Sequence, residues 1–156
     1  MTAYVAVCGP GVAGPWEEAA AEEVGRRLAE AGAILVCGGL GGVMDAAARG
    51  AAAGGGTSIG ILPGTGRIEA SPHLSVSIPT GMGEARNALV ARAADAVVAI
   101  AGEFGTLSEI ALALKLEKPV VGLGTWRLSK EGFEDPIVRA RTPEEAVSRA
   151  LDLAGA

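Results

Sequence analysis

The chain has 156 residues, enough for one domain whose single core buries about 68–70% of the unfolded surface. Apolar residues make up 49% but aromatics only 3%, so that core is Ala, Val, Leu and Ile packed between closely spaced elements. The net charge of −5, with 13 basic residues scattered along the chain, excludes the clustered Lys and Arg of a nucleic-acid surface and leaves room for a small anionic ligand bound locally. The longest uncharged run, residues 50–66, is too rich in Gly and Pro for a membrane helix, and no basic segment precedes an apolar stretch at the N-terminus. The expectation is a soluble cytoplasmic protein with neither membrane nor nucleic acid as partner.

Short apolar runs alternate with helical patterns from end to end, the signature of parallel βα units. The first strand is expected at 4–8 and ends in Cys8. Gly9, Gly11 and Gly14 follow it and formally satisfy G-x-G-x-x-G, opening a helix at 16–31. The second strand, 33–37, ends in Cys37 and runs into Gly38-Gly39-Leu40-Gly41-Gly42 and a helix at 42–53. No acidic residue closes that strand to hold ribose hydroxyls, which argues against a dinucleotide site. The glycines of 38–42 read either as close helix–strand packing or as a wall for a base or sugar, and Asp45 in the first turn of the helix favours its dipole. Cys8 and Cys37 are the only cysteines, without metal spacing, and read as reduced, packed thiols.

Strands at 57–62 and 74–78 come next, then a helix at 83–93 with Arg86 near its start. A cation there meets the positive end of the helix dipole and calls for an anion or acidic side chain to offset it. Glu84, two residues away, points in another direction. The strand at 96–100 is apolar throughout, and residues 101–105 turn into a helix at 106–116. A strand, glycine loop and helix make a phosphate cradle, because the first N–H groups of a helix lack internal partners and carry partial positive charge. Gly102, Gly105 and Thr106 are its candidate contacts. Thr106-x-x-Glu109 also fits a capping box, so Glu109 has a plain structural reading. A last strand at 120–123 precedes an irregular surface loop at 124–136. The final helix, 142–153, opens with Thr142-Pro143-Glu144-Glu145, a capping box with Pro at the first helical position. His73 stands alone and supports neither a triad nor a metal site. The fold class expected is α/β, a single-domain Rossmann-like three-layer sandwich with a mostly parallel sheet.

The motifs TGMGEARN (80–87), ADAVVAI (94–100), GTLSE (105–109) and KPVVGLG (118–124), with GGLGGVMDAA (38–47) before them, resemble the Lonely Guy-type proteins, a Rossmann-like family also labelled lysine decarboxylase-like. The similarity covers roughly residues 4–124. It implies a phosphoribohydrolase that frees the base of a nucleoside 5′-monophosphate, with Arg86 and Glu109 catalytic and phosphate on Gly105 and Thr106; the loop glycines Gly9, Gly11, Gly38, Gly39, Gly41, Gly42 and Gly102 are the other expected ligand contacts. The decarboxylase label would imply a pyridoxal Schiff base, but none of the three lysines sits in a loop at a strand's carboxyl end, so neither cofactor nor metal is expected. Two departures stand out. The family's PGG is here Ala101-Gly102-Glu103, which sets a carboxylate in the phosphate loop, and its H-x-R-K is Glu84-Ala85-Arg86-Asn87. In this form the motif is similar to the branch containing molybdenum cofactor carrier proteins, which implies the alternative of a non-catalytic carrier. Both branches imply a homo-oligomer, a dimer or larger.

Overall fold

The structure, a computed structural model, describes residues 1–155. Seven strands form one sheet: β1 (Tyr4–Cys8), β2 (Ile34–Cys37), β3 (Ser58–Leu62), β4 (Val76–Pro79), β5 (Ala96–Ile100), β6 (Val120–Leu123) and β7 (Val138–Arg139). Four α-helices lie between strands, α1 (Pro15–Glu30), α2 (Val43–Ala53), α3 (Asn87–Ala93) and α4 (Phe104–Lys115), and α5 (Pro143–Leu153) follows the last strand. The order across the sheet is β4-β3-β2-β1-β5-β6-β7 and each pairing is parallel, so the sheet is wholly rather than mostly parallel.

Period-two alternation assigns each strand residue to one of two cores. Val5, Val7, Leu35, Val98, Ile100 and Val121 pack against α1, α2 and α5 on one face. Ala6, Cys8, Val36, Val97, Ala99 and Val120 pack against α3 and α4 on the other. Both faces are covered, which is why β5 is buried along its whole length. Glycine brings α1 and α2 unusually close: a methyl on Gly25 would collide with the Ala47 carbonyl, and one on Gly50 with the Glu22 carbonyl.

Several expected boundaries move. The strand expected at 74–78 lies at Val76–Pro79, because Leu74 turns into the first core instead of the ladder. The expected helix at 83–93 begins as a 3-10 turn, Gly83–Arg86, and becomes α-helical only at Asn87. β7 was not anticipated. Two residues at the sheet edge, paired to Val121 and Gly122, carry too little pattern to be read as a strand. The loop at 124–136 holds only an isolated bridge between Lys130 and Phe133. The Thr142 cap of α5 is present, with the Glu145 N–H donating to Thr142 Oγ1 at 3.1 Å, but the reciprocal half of the expected box is displaced: Glu145 Oε2 accepts from the N–H of Arg141, one residue before the cap, at 2.9 Å. At the opposite edge, Arg67 Nε donates to the Ser77 carbonyl at 3.0 Å, occupying an acceptor of β4 that would otherwise invite another strand.

Candidate functional site

The strand order reverses its direction of growth between β1 and β5, and in open α/β sheets ligands bind beyond the carboxyl ends of the strands at such a point. A cleft of about 1020 Å³ opens there. Its walls come from the loop after β1 (Gly9 to Val12), the 3-10 turn and start of α3 (Glu84 to Ala88), and the first two turns of α4 (Glu103 to Glu109), with Leu40, Met44, Pro63 and Leu112 completing an apolar lining.

Helix α4 brings an open helix N-terminus to the cleft. Its N-cap is Glu103, whose side chain makes no cap hydrogen bond, so the first amides of the helix stay open. This also corrects the capping reading. Thr106 is the third helical residue rather than the cap, and Glu109 lies in the second turn, where it cannot close a box with it. Thr106 is buried at 3% exposure and lines the cleft, while a methyl on Gly105 would meet only open space. The neighbouring α2 offers no comparable end. The Val43 N–H donates to the Pro10 carbonyl at 3.0 Å, and the loop after β1 sits on that terminus.

The expected glycines divide accordingly. Gly9, Gly11 and Gly105 line the cleft; Gly38, Gly39, Gly41, Gly42 and Gly102 do not. A Cβ on Gly9 would stand 2.7 Å from the Ile100 carbonyl and 2.8 Å from the Val43 side chain. Gly42, at φ 62°, has no room for one beside the Pro10 carbonyl, and Gly102, at φ 109°, none beside the Thr106 side chain. Gly38 makes space for Arg86, whose Nη2 would lie 2.7 Å from an added Cβ.

Arg86 is the N-cap residue of α3 and is buried at 8% exposure. Its Nε donates to the Ile61 carbonyl at 2.9 Å, Nη2 to the Gly38 carbonyl at 3.2 Å, and Nη1 to Asn87 Oδ1. Among the described residues no carboxylate lies within the 4.0 Å of an ion pair. The offset for a cation at a helix start is therefore a set of neutral oxygen acceptors, and no direct Arg86–Glu109 ion pair is formed. The positive charge is satisfied in hydrogen bonding but not neutralised, and it faces the cleft.

Glu109 borders the same cleft and is partly buried. Burial pushes its carboxyl up to about 7, and the Arg86 cation acts through space in the opposite direction. Cys8 and Cys37 are free, buried thiols at the strand ends below. Burial, with a smaller contribution from Glu109, raises Cys8 well above the ordinary thiol range, and burial pushes Cys37 up to about 12, so neither is a thiolate.

Two further features escaped the sequence. Asn87 Nδ2 donates to Ser108 Oγ at 2.9 Å, and Ser108 Oγ donates to the Gly105 carbonyl at 2.7 Å, so a chain of side chains runs from Arg86 to the first turn of α4. The contact joins residues 21 apart on different helices, and no local pattern encodes it. Phe104, exposed at 76%, stands on the cleft wall against Trp126, with ring centroids 5.8 Å apart. Its signal in the sequence is the rarity of aromatics, with one of only two phenylalanines in a glycine loop after a buried strand.

The chain belongs to the SLOG cluster4 family, whose pattern matches residues 2–147. Its fold is similar to that of the molybdenum cofactor binding protein from the phototrophic bacterium Rippkaea orientalis, at 36% identity and a TM-score of 0.90 over 98% of both chains. The molybdenum cofactor carrier protein of Chlamydomonas reinhardtii aligns at 34% identity and a TM-score of 0.88 over the full length of each. The cytokinin riboside 5′-monophosphate phosphoribohydrolase LOG of Oryza sativa subsp. japonica is 36% identical over 128 residues, 76% of this chain. The chain spans about half the length of that relative, 51%. These relatives and the sequence motifs agree on a Lonely Guy-like, Rossmann-like fold with a molybdenum cofactor carrier branch.

Proposed function

We propose that this member of the SLOG cluster4 family binds a small phosphorylated heterocycle in the cleft between β1 and β5, as a binding or carrier protein for a ligand such as the molybdenum cofactor. The observation that carries the reading is the convergence on one cleft of an uncapped helix N-terminus and a buried guanidinium with no carboxylate partner among the described residues. Phosphate then rests on the Gly105 and Thr106 N–H groups, under the field of Arg86. Gly11 and Gly105, where an added Cβ would meet nothing closer than 3.9 Å, let the ligand approach the backbone. The whole-length likeness to two molybdenum cofactor proteins supports the same ligand class.

The test is binding from a source of molybdenum cofactor, with co-purified pterin read by fluorescence after oxidation. Binding should weaken in Thr106→Ala and Arg86→Ala; equal binding in both variants removes the site. The same proposal includes a homo-oligomer of two or more chains, supported by exposed Val76, Ile78, Met82 and Leu89 on and after the edge strand. Light scattering that returns the 15.5 kDa of one chain rejects it.

A second reading, hydrolysis of nucleoside 5′-monophosphates, is favoured by Glu109, a carboxyl on the cleft wall that titrates near neutrality. Water would attack the ribose C1′ as the C1′–N bond breaks. The bonding electron pair leaves with the base, which takes up a proton from solvent, the ionised carboxylate accepts the proton of the water and later returns it to solvent, and positive charge building on the ribose is stabilised. Free base and ribose 5-phosphate should appear, at a rate rising through pH about 7 as Glu109 ionises. No release by wild type, or equal release by Glu109→Gln, excludes it.

A further inference from the structure

We infer that Phe104 is the stacking platform for the planar ring of the ligand and sets the selectivity of the cleft for heteroaromatic over purely sugar phosphates. The inference rests on the proposed binding of a phosphorylated ligand and adds the group that recognises the other end of that ligand.

Phe104 occupies the first helical position of α4, next to the Gly105 and Thr106 amides. It is 76% exposed in a chain with few aromatics, so most of its burial free energy is forgone. The ring is nevertheless held. Trp126 packs against it at 5.8 Å with the planes inclined by 32°, and the indole Nε1–H of Trp126 donates to the Glu103 carbonyl at 3.0 Å. Trp126 is in turn partly buried against the core under α3 and α4. Thus the irregular loop at 124–136 backs Phe104 from one side. The rest of the ring borders the cleft, whose other apolar members include Val12, Leu40, Met44 and Leu112. A flat heterocycle with its phosphate on the helix amides would cover this ring, and stacking on an aromatic face tolerates different bases. A phosphorylated sugar without a base reaches the amides and leaves the ring wet.

The experiment measures calorimetric affinities of three probes, guanosine 5′-monophosphate, ribose 5-phosphate and guanosine, for wild type, Phe104→Tyr, Phe104→Leu and Phe104→Ala. Wild type should prefer the nucleotide over ribose 5-phosphate by roughly 5- to 100-fold. Phe104→Tyr should keep that preference. Phe104→Leu, which retains apolar volume without a ring face, and Phe104→Ala should lose it while binding ribose 5-phosphate as wild type does. Guanosine bound by wild type and not by Phe104→Ala, with ribose 5-phosphate bound by neither, would sink the phosphate reading and leave the platform standing. An unchanged preference in Phe104→Ala overturns the platform. So does failure of both guanosine and its monophosphate to bind wild type, and so does loss of oligomer mass in Phe104→Ala with the preference intact, since the ring then serves a second copy of the chain.

Discussion

At the scale of single residues, two carboxylates govern the cleft in opposite ways. Glu103 is exposed at the N-cap of α4, on the cleft wall, without a cap hydrogen bond. Its charge opposes the phosphate proposed to rest on the α4 amides, and a like charge about 4 Å away costs roughly 1 kcal/mol in water. Glu103→Gln should therefore tighten binding of a nucleoside monophosphate several-fold at low salt and less at high salt, read by calorimetry. Glu109 acts on stability. Its folded carboxyl titrates at about 7 against an ordinary 4.5. Between those values the folded chain keeps a proton the unfolded chain has released, so stability falls as pH rises through that window and is flat above it. Glu23, Asp135 and Glu145 are held below their ordinary range by arginines and backbone N–H groups, and they titrate at lower pH. Glu109→Gln should flatten the slope between pH 4.5 and 7 and raise stability at pH 8 by on the order of 1–3 kcal/mol in urea unfolding. An unchanged slope would mean that Glu109 is hydrated when folded.

At the scale of elements, helix ends and helix contacts decide which substitutions succeed. Helix α4 ends in a Schellman arrangement, with the Lys118 N–H on the Ala113 carbonyl at 2.9 Å and the Glu117 N–H on the Leu114 carbonyl at 3.0 Å. The left-handed position belongs to Glu117, at φ 59°, exposed and without the glycine that usually fills it. Glu117→Gly should stabilise by about 0.5–1 kcal/mol and raise Tm by about 1–4 °C. Gly25→Ala should do the reverse. Alanine is the better helix former, but its methyl would strike the Ala47 carbonyl of α2, so a loss of about 1–3 kcal/mol is expected by chemical denaturation. These elements also mark what could be read in advance. The apolar runs of β1, β5 and β6 and the Thr142 cap are local signals, and each matches its expected element within a residue. The Arg86 to Glu109 segment was recognisable as strand, loop and helix for the same reason. The start of α4 at Phe104, the carbonyl partners of Arg86 and the Asn87–Ser108 bond depend on segments far apart in the chain. Spacing within one segment holds no record of them, and the TxxE pattern at 106–109, unlike the one at 142–145, names the wrong cap.

At the scale of the molecule, both cores share the same strands, so neither layer of helices has a face to bury without the sheet. Urea unfolding should therefore be one transition, with tryptophan fluorescence and far-ultraviolet circular dichroism coinciding. Trp126 packs on the α3 and α4 side while Trp16 stands over Gly124, so the fluorescence samples two regions; separated midpoints would contradict a single cooperative unit. Across that unit, the guanidinium of Arg86 holds carbonyls from the ends of β2 and β3 at once. The floor of the cleft is thus braced before any ligand arrives. A ligand entering it has little protein backbone left to freeze, and the entropy lost on binding falls mainly on its own rotatable bonds.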